Sequence, residues 1–193
     1  MMELDGSLGE GGTHNPMAPP AQFLQRAFLP RLAEMGAEVD LELERFGFYP
    51  AGGGEVRARV RPCARLRARA WMERGARTAS YAECFIAGVP GRIAQRELEC
   101  VGKAMHWGDA QLLNRTLPSD QGPGDALLLT FGHEHVTEVF TAFGEKSVSA
   151  ENVARHAVQC ARRYLSSRAA LGFAGFIPRT GPARTPRSAP WSP

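Results

Sequence analysis

Arg45-Phe46-Gly47-Phe48-Tyr49-Pro50-Ala51-Gly52-Gly53-Gly54-Glu55-Val56 separates two stretches of strict alternation, and reading it as a loop decides the local fold. Before it, residues 38–44 set Val39, Leu41 and Leu43 on one face and Glu38, Asp40, Glu42 and Glu44 on the other. After it, residues 55–61 set Val56, Ala58 and Val60 against Arg57, Arg59 and Arg61. Antiparallel pairing would lay an acidic row beside a basic row on the outer face of a hairpin. The loop is too long for a two-residue turn, and three consecutive glycines permit the positive φ that other residues resist.

Outward from this hairpin, residues 20–35 are spaced for a helix, with Leu24, Phe28, Leu32 and Met35 on one stripe and Gln25, Arg26 and Glu34 off it. Pro19 and Pro20 suit its first turn and Gly36 its end, while Pro30 predicts a kink or break. Residues 1–5 read as a short strand, followed by a glycine-rich turn over 6–12 that carries the carboxylate Glu10. Residues 1–62 therefore form a reduced strand-helix-strand-strand unit, too small to cover its own sheet.

Residues 63–76 are a basic connector with Arg65, Arg67, Arg69 and Arg74, suited either to nucleic-acid contact or to solvation. A second unit spans 77–167. It reads as a strand at 78–87, a turn at 88–90, a helix at 91–105 with Ala94, Leu98, Val101 and Met105 on its stripe, and strands at 111–117, 126–131 and 136–143. Its last helix follows Ser149, a suitable cap, with Glu151 in the first turn and Val153, Ala157, Cys160 and Tyr164 on its stripe. Residues 168–193 form a Pro-, Arg- and Ser-rich tail expected to be disordered. The fold class is α+β.

Composition bounds the function. The chain has 193 residues, 44% hydrophobic, with a formal charge of +3, which accommodates phosphate-bearing partners without requiring them. Cys63, Cys84, Cys100 and Cys160 show no Cys-x-x-Cys spacing, so they read as thiols of a reducing compartment rather than a disulfide frame or zinc site. No apolar run reaches membrane-spanning length and the amino terminus is acidic, so the expected location is cytoplasmic with no membrane partner. His133-Glu134-His135 has strand spacing for two ligands on one face, but no third ligand is suggested nearby, and a polar hairpin tip is the better reading. Asp120 and Gln121 are accounted for by a Gly-Pro turn.

The run Gly47-Phe48-Tyr49-Pro50-Ala51-Gly52-Gly53-Gly54 resembles the signature of RNA 3'-terminal phosphate cyclases, through Gly47, Pro50, Gly52, Gly53 and Gly54. Phe46 stands where that family has Arg or His, with Arg45 one place earlier as a substitute. Asp5-Gly6 with Gly9-Glu10-Gly11-Gly12 is similar to the family's amino terminus, and Gly11-Gly12-Thr13-His14-Asn15-Pro16-Met17-Ala18-Pro19-Pro20 to a later motif, as if an intervening segment had been excised at a shared Gly-Gly. The second unit resembles the family's smaller insert domain through residues 86–90, 120–124 and 144–151.

The resemblance implies a fold of βαββ repeats, of which one is kept here. It also implies ATP-dependent conversion of an RNA 3'-phosphate end to a 2',3'-cyclic phosphodiester through AMP on a histidine, with ATP and a divalent metal, Mg or Mn, as cofactors. Glu10 is then the carried-over residue for nucleotide and metal. The catalytic residue is unknown, because the family's nucleophilic histidine has no matching position and the resemblance fades after Leu171-Gly172. Impaired activity is therefore expected, with self-association through an apolar face left by absent repeats. The alternative is a non-catalytic RNA-binding protein of the ribosome-biogenesis type.

Overall fold

The computed structural model describes residues 4–172, with side chains from residue 11 onward. It contains two sheets. The first has the order β1-β3-β2, from β1 (Leu4–Gly11), β2 (Glu38–Arg45) and β3 (Gly54–Arg61), all antiparallel. The expected hairpin forms in the register Glu38↔Arg61, Asp40↔Arg59 and Glu42↔Arg57. Its outer face is laced by Glu38–Arg61 at 3.0 Å and Glu44–Arg57 at 2.8 Å, exposed pairs that set register more than stability.

Two local expectations are corrected. The glycine-rich segment from Gly6 is not a turn: it continues β1, paired Leu4↔Val60 through Leu8↔Val56 and, after a register shift, Gly11↔Gly54. Glycine weakens a strand, but a neighbour with a complete ladder supplies the hydrogen bonds that hold it extended. The helix does not keep one stripe. It runs as α1 (Ala21–Phe23), a π-helical stretch Leu24–Phe28 and α2 (Leu29–Glu34), with the wide turn placed just before Pro30, whose missing N–H and ring crowd the preceding turn. The buried residues of this segment are Ala21, Gln22 and Ala27, and Phe28, at the end of the wide turn, is 46% exposed. Gly36 (φ +97°) ends the helix as expected, with Ala37 N–H donating to Leu32 O.

The second sheet has the order β5-β4-β6-β7, from β4 (Arg77–Ala87), β5 (Leu112–Thr116), β6 (Gly124–His133) and β7 (Thr137–Phe143). β4 and β5 are parallel and the remaining pairs antiparallel. α3 (Arg92–Met105) and α4 (Ala150–Ser166) pack on one face, where Ala94, Leu98, Val101, Val153 and Ala157 meet Cys84, Ile86, Leu127, Leu129 and Phe140. α4 is capped as the sequence requires, by Ser149 accepting from Asn152 N–H at 3.3 Å.

The other face of this sheet is covered by the first unit. Phe48 joins Phe85, Ala87, Ala126, Leu128 and Val139 in a second core, with Phe23 and Phe46 at its edge. Arg26 crosses from the helix to the buried Glu83 at 2.5 Å, and Arg115 reaches the same carboxylate at 3.3 Å.

The connector has no regular structure but is pinned: Arg67 N–H donates to Met35 O, and Trp71 Nε1 to Glu34 Oε2 at 2.6 Å. Arg74 lies over the Tyr164 ring at 4.2 Å. Residues 168–172, at the start of the expected tail, pack back on the body: Ala170 is buried, and Gly172 N–H donates to Glu138 Oε1 at 2.7 Å. The remainder of that expected tail, 173–193, lies outside the described residues.

Candidate functional site

The glycine loop is built on backbone contacts that leave no room for side chains. A Cβ on Gly47 would meet Gly54 Cα at 2.6 Å and Gly11 O at 2.8 Å, so three glycine-bearing segments cross here. Gly52 and Gly53 adopt φ of +72° and +73°, the left-handed region that glycine enters without cost from a Cβ. The loop is zipped to the segment after β1: His14 N–H donates to Gly47 O at 3.0 Å, Tyr49 N–H to His14 O at 3.1 Å, and Gly47 N–H to Thr13 Oγ1 at 2.9 Å.

Its other side docks on the second unit. Arg45 pairs with Asp120 at 2.8 Å and also donates to the Asp120 and Gly53 carbonyls. Phe46 N–H donates to Gln121 Oε1 at 3.1 Å, and Phe48 fills the hollow over Gly124. Asp120 and Gln121 thus find their partners within the protein. Arg45 is committed to Asp120, so it does not project as a free replacement for the basic residue expected at position 46. Phe46 instead stacks on His14, ring centroids 4.5 Å apart.

His14 is the histidine at this loop, and it is 1% exposed. Its Nε2–H donates to Gln22 Oε1 at 2.9 Å and its Nδ1 accepts from the Thr13 hydroxyl at 2.9 Å. Burial pushes its pKa down to about 4, partly opposed by the Gln22 hydrogen bond, so the ring is neutral. A neutral imidazole is a nucleophile, but both nitrogens are occupied and the ring is sealed from solvent. The sequence signal for this role was thin, since one histidine between Thr and Asn carries no periodicity.

Glu10 lies on β1 one residue before the Gly11↔Gly54 pair, beside the glycine loop; its side chain lies outside the described ones. Gly47, Pro50, Gly52, Gly53 and Gly54 are brought together on the loop, with Pro50 after a cis peptide bond. His133-Glu134-His135 forms the β6–β7 turn, where His133 N–H donates to Val136 O at 2.8 Å. Among the described residues no three His, Cys, Asp or Glu side chains converge to hold a metal ion. No described helix is long and apolar enough to cross a membrane.

A cavity of about 560 Å³ opens where the loop meets the second unit, and Tyr49, Pro50, Arg92, Lys146, Glu97 and Asp125 share its lining. Burial, with the neighbouring Asp125 charge next, pushes Glu97 up to about 9, and burial raises Asp125 as well. Sequence reasoning missed this pair, although Glu97 falls on the apolar stripe of α3 between Ala94 and Val101, where a carboxylate is anomalous.

The family model described as RNA 3'-terminal phosphate cyclase matches residues 8–170. The chain is 50% identical over 157 residues to the RNA 3'-terminal phosphate cyclase of Pseudomonas aeruginosa, covering 81% of this chain and 46% of that protein. It is 47% identical over 161 residues to the enzyme of that name from Pseudomonas fluorescens, covering 83% and 47%, and 50% identical over 162 residues to that from Ralstonia nicotianae, covering 83% and 46%. The chain spans about half the length of these relatives.

Proposed function

The chain belongs to the RNA 3'-terminal phosphate cyclase family, and we propose that it is a cyclase by lineage whose own catalysis is impaired, acting on RNA 3'-phosphate ends in the cytoplasm. In that reading ATP and a divalent metal are used on the Glu10 side of the glycine loop, and the loop fixes the relative position of the two units. One observation carries it. The loop is fully assembled, locked through Arg45–Asp120 and Phe48–Gly124, while the histidine beside it is sealed with both ring nitrogens engaged. A preorganised scaffold supports close positioning of reacting groups, but attack on an α-phosphate requires an accessible imidazole.

Incubating the purified chain with α-labelled ATP and Mg²⁺, then separating it under denaturing conditions, tests this directly. The expected result is no covalent AMP adduct on a chain whose folding is confirmed by circular dichroism. A labelled band would overturn the impairment, and single replacements of His14, His106, His133, His135 and His156 would locate the nucleophile.

The second reading, an RNA-binding protein without catalysis, is favoured by the connector, whose backbone is pinned at Met35 while Arg65 and Arg67 stay exposed. It is supported by RNA binding that weakens steeply with salt and consumes no ATP. The proposed self-association rests on exposed apolar side chains such as Met17 and Met72. A single sedimenting monomer across concentrations would sink it.

A further inference from the structure

The glycine loop and the stretches 86–90, 120–124 and 144–151 all contribute to the 560 Å³ cavity, through Tyr49, Val89, Pro123 and Lys146 among others. Packing accounts for glycines in these stretches: Gly124 lies under Phe48, and a Cβ on Gly144 would overlap Asp125. It does not account for three other lining residues. Tyr49 is 59% exposed although its N–H is fixed to His14 O at 3.1 Å, so a pinned backbone presents an open aromatic ring. Arg92 and Lys146 are exposed, and among the described residues neither side chain has an ion-pair or hydrogen-bond partner.

The acids of the same lining do not offset these two cations at the surface. Glu97 and Asp125 are 0% and 7% exposed, and Glu145 is engaged within the protein. Glu151 is taken by Arg96 through two hydrogen bonds of 2.8 Å. α3 also starts at this wall with no side-chain cap and no acid in its first turn, so its first N–H groups add positive potential. The reachable charge of the cavity is positive, its volume lies within the usual range of ligand sites, and Pro50, Ile93 and Val148 give it apolar walls.

We propose that this cavity holds a short segment of single-stranded RNA, with one base lying on the Tyr49 ring and the flanking phosphates met by Arg92 and Lys146. Every base has a π-face and every nucleotide a phosphate, so the site takes unpaired RNA without choosing a base. An acidic peptide would satisfy the cations but leave the open ring without a flat partner. That the strand is RNA rests on the cyclase-family reading; the open ring and the two unpartnered cations do not.

The test titrates the full chain into a fluorescein-labelled uridine pentanucleotide and follows anisotropy. An abasic strand with the same phosphates should bind the unaltered protein about tenfold more weakly. Tyr49→Ala should show the same loss on the complete strand, and Tyr49→Phe, which keeps the ring, should bind like the parent. Arg92→Gln together with Lys146→Gln should weaken binding and flatten the slope of log affinity against log salt by about 1.4. Equal binding of the abasic and complete strands by the unaltered protein overturns the site whatever the replacements do to folding, and equal binding by parent and variants overturns it while the RNA reading stands. Tighter binding of a polyglutamate peptide than of the pentanucleotide assigns the surface to a protein partner and overturns it as well. If no RNA binds, the RNA reading fails, and uridine monophosphate is followed by amide shifts at Gly124 and Gly144. Shifts that vanish in Tyr49→Ala keep the site, with a free nucleotide as its source; no shift overturns it.

Discussion

Phe48 sits so close over Gly124 that a Cβ at position 124 would overlap the Phe48 side chain and lie 2.7 Å from its Cδ1. The glycine loop and the second sheet are thereby joined by a contact that only glycine allows. Gly124→Ala should lower stability by about 1–3 kcal/mol, the usual cost of overpacking a filled site. Gly91→Ala, where nothing lies within 4 Å, is the matched control and should change little. Thermal denaturation followed by circular dichroism separates the two.

Glu83 ties the helix of the first unit to β4 and β5. Glu83 is 5% exposed, and its carboxylate serves both Arg26 and Arg115. Glu83→Ala should cost about 2 kcal/mol, below the full penalty for breaking a buried pair because both arginines keep partial access to water. Urea unfolding of this variant beside Glu38→Ala, which loses only an exposed pair, should show a much smaller loss for the latter.

Burial pushes Glu138 up to about 7, against a Gly172 hydrogen bond and the Arg74 charge that both pull it down. A carboxyl raised in the folded state binds its proton more tightly there than in the unfolded chain. Its contribution is therefore complete below about pH 4.5 and is lost as pH rises to about 7. Stability should fall by a few kcal/mol over that window, and Glu138→Gln should flatten the fall in a series of melting curves from pH 4.5 to 8.

Glu97 acts in the same direction over a wider window, from about pH 4.5 to its folded value of about 9. Glu97→Gln should remove the loss of stability between pH 7 and 9 while leaving the Glu138 window intact. A variant whose pH profile matches the parent above pH 7 would show that burial does not hold a proton on Glu97.

Cys63 is exposed and Cys84 is buried, its thiol pushed far up first by burial and then by the adjoining Glu97 and Asp125 carboxyls. Ellman's reagent should label Cys63 within minutes and leave Cys84 untouched until the chain unfolds. Labelling of Cys84 in the folded protein would place the α3–β4 core open to solvent.

The β2–β3 hairpin was legible because alternation has a period of two and both faces carried a clear sign, acid against base. The caps at Gly36 and Ser149 were legible because each satisfies local backbone groups. The segment from Gly6 was misread as a turn because glycine is permissive: its conformation is set by the Leu4↔Val60 to Leu8↔Val56 pairing with β3, more than forty residues away in sequence. The helix stripe failed at Phe28 for another reason, since one wide turn before Pro30 breaks the 3.6-residue period on which any stripe is counted.

The sequence by itself determined the α+β class, the order of strands and helices after residue 20, the glycine positions of the loop and the family, because each depends on neighbours in the chain or on spacing that needs no partner. Tertiary structure alone decided that Phe46 lies on His14, that Arg45 is spent on Asp120, and that Glu97 meets Asp125. Those pairs are separated by roughly 30 to 75 positions and depend on how loops, helices and strands distant in the chain pack together, where burial, rather than residue type, fixes which group is neutral, which is charged and which is reachable.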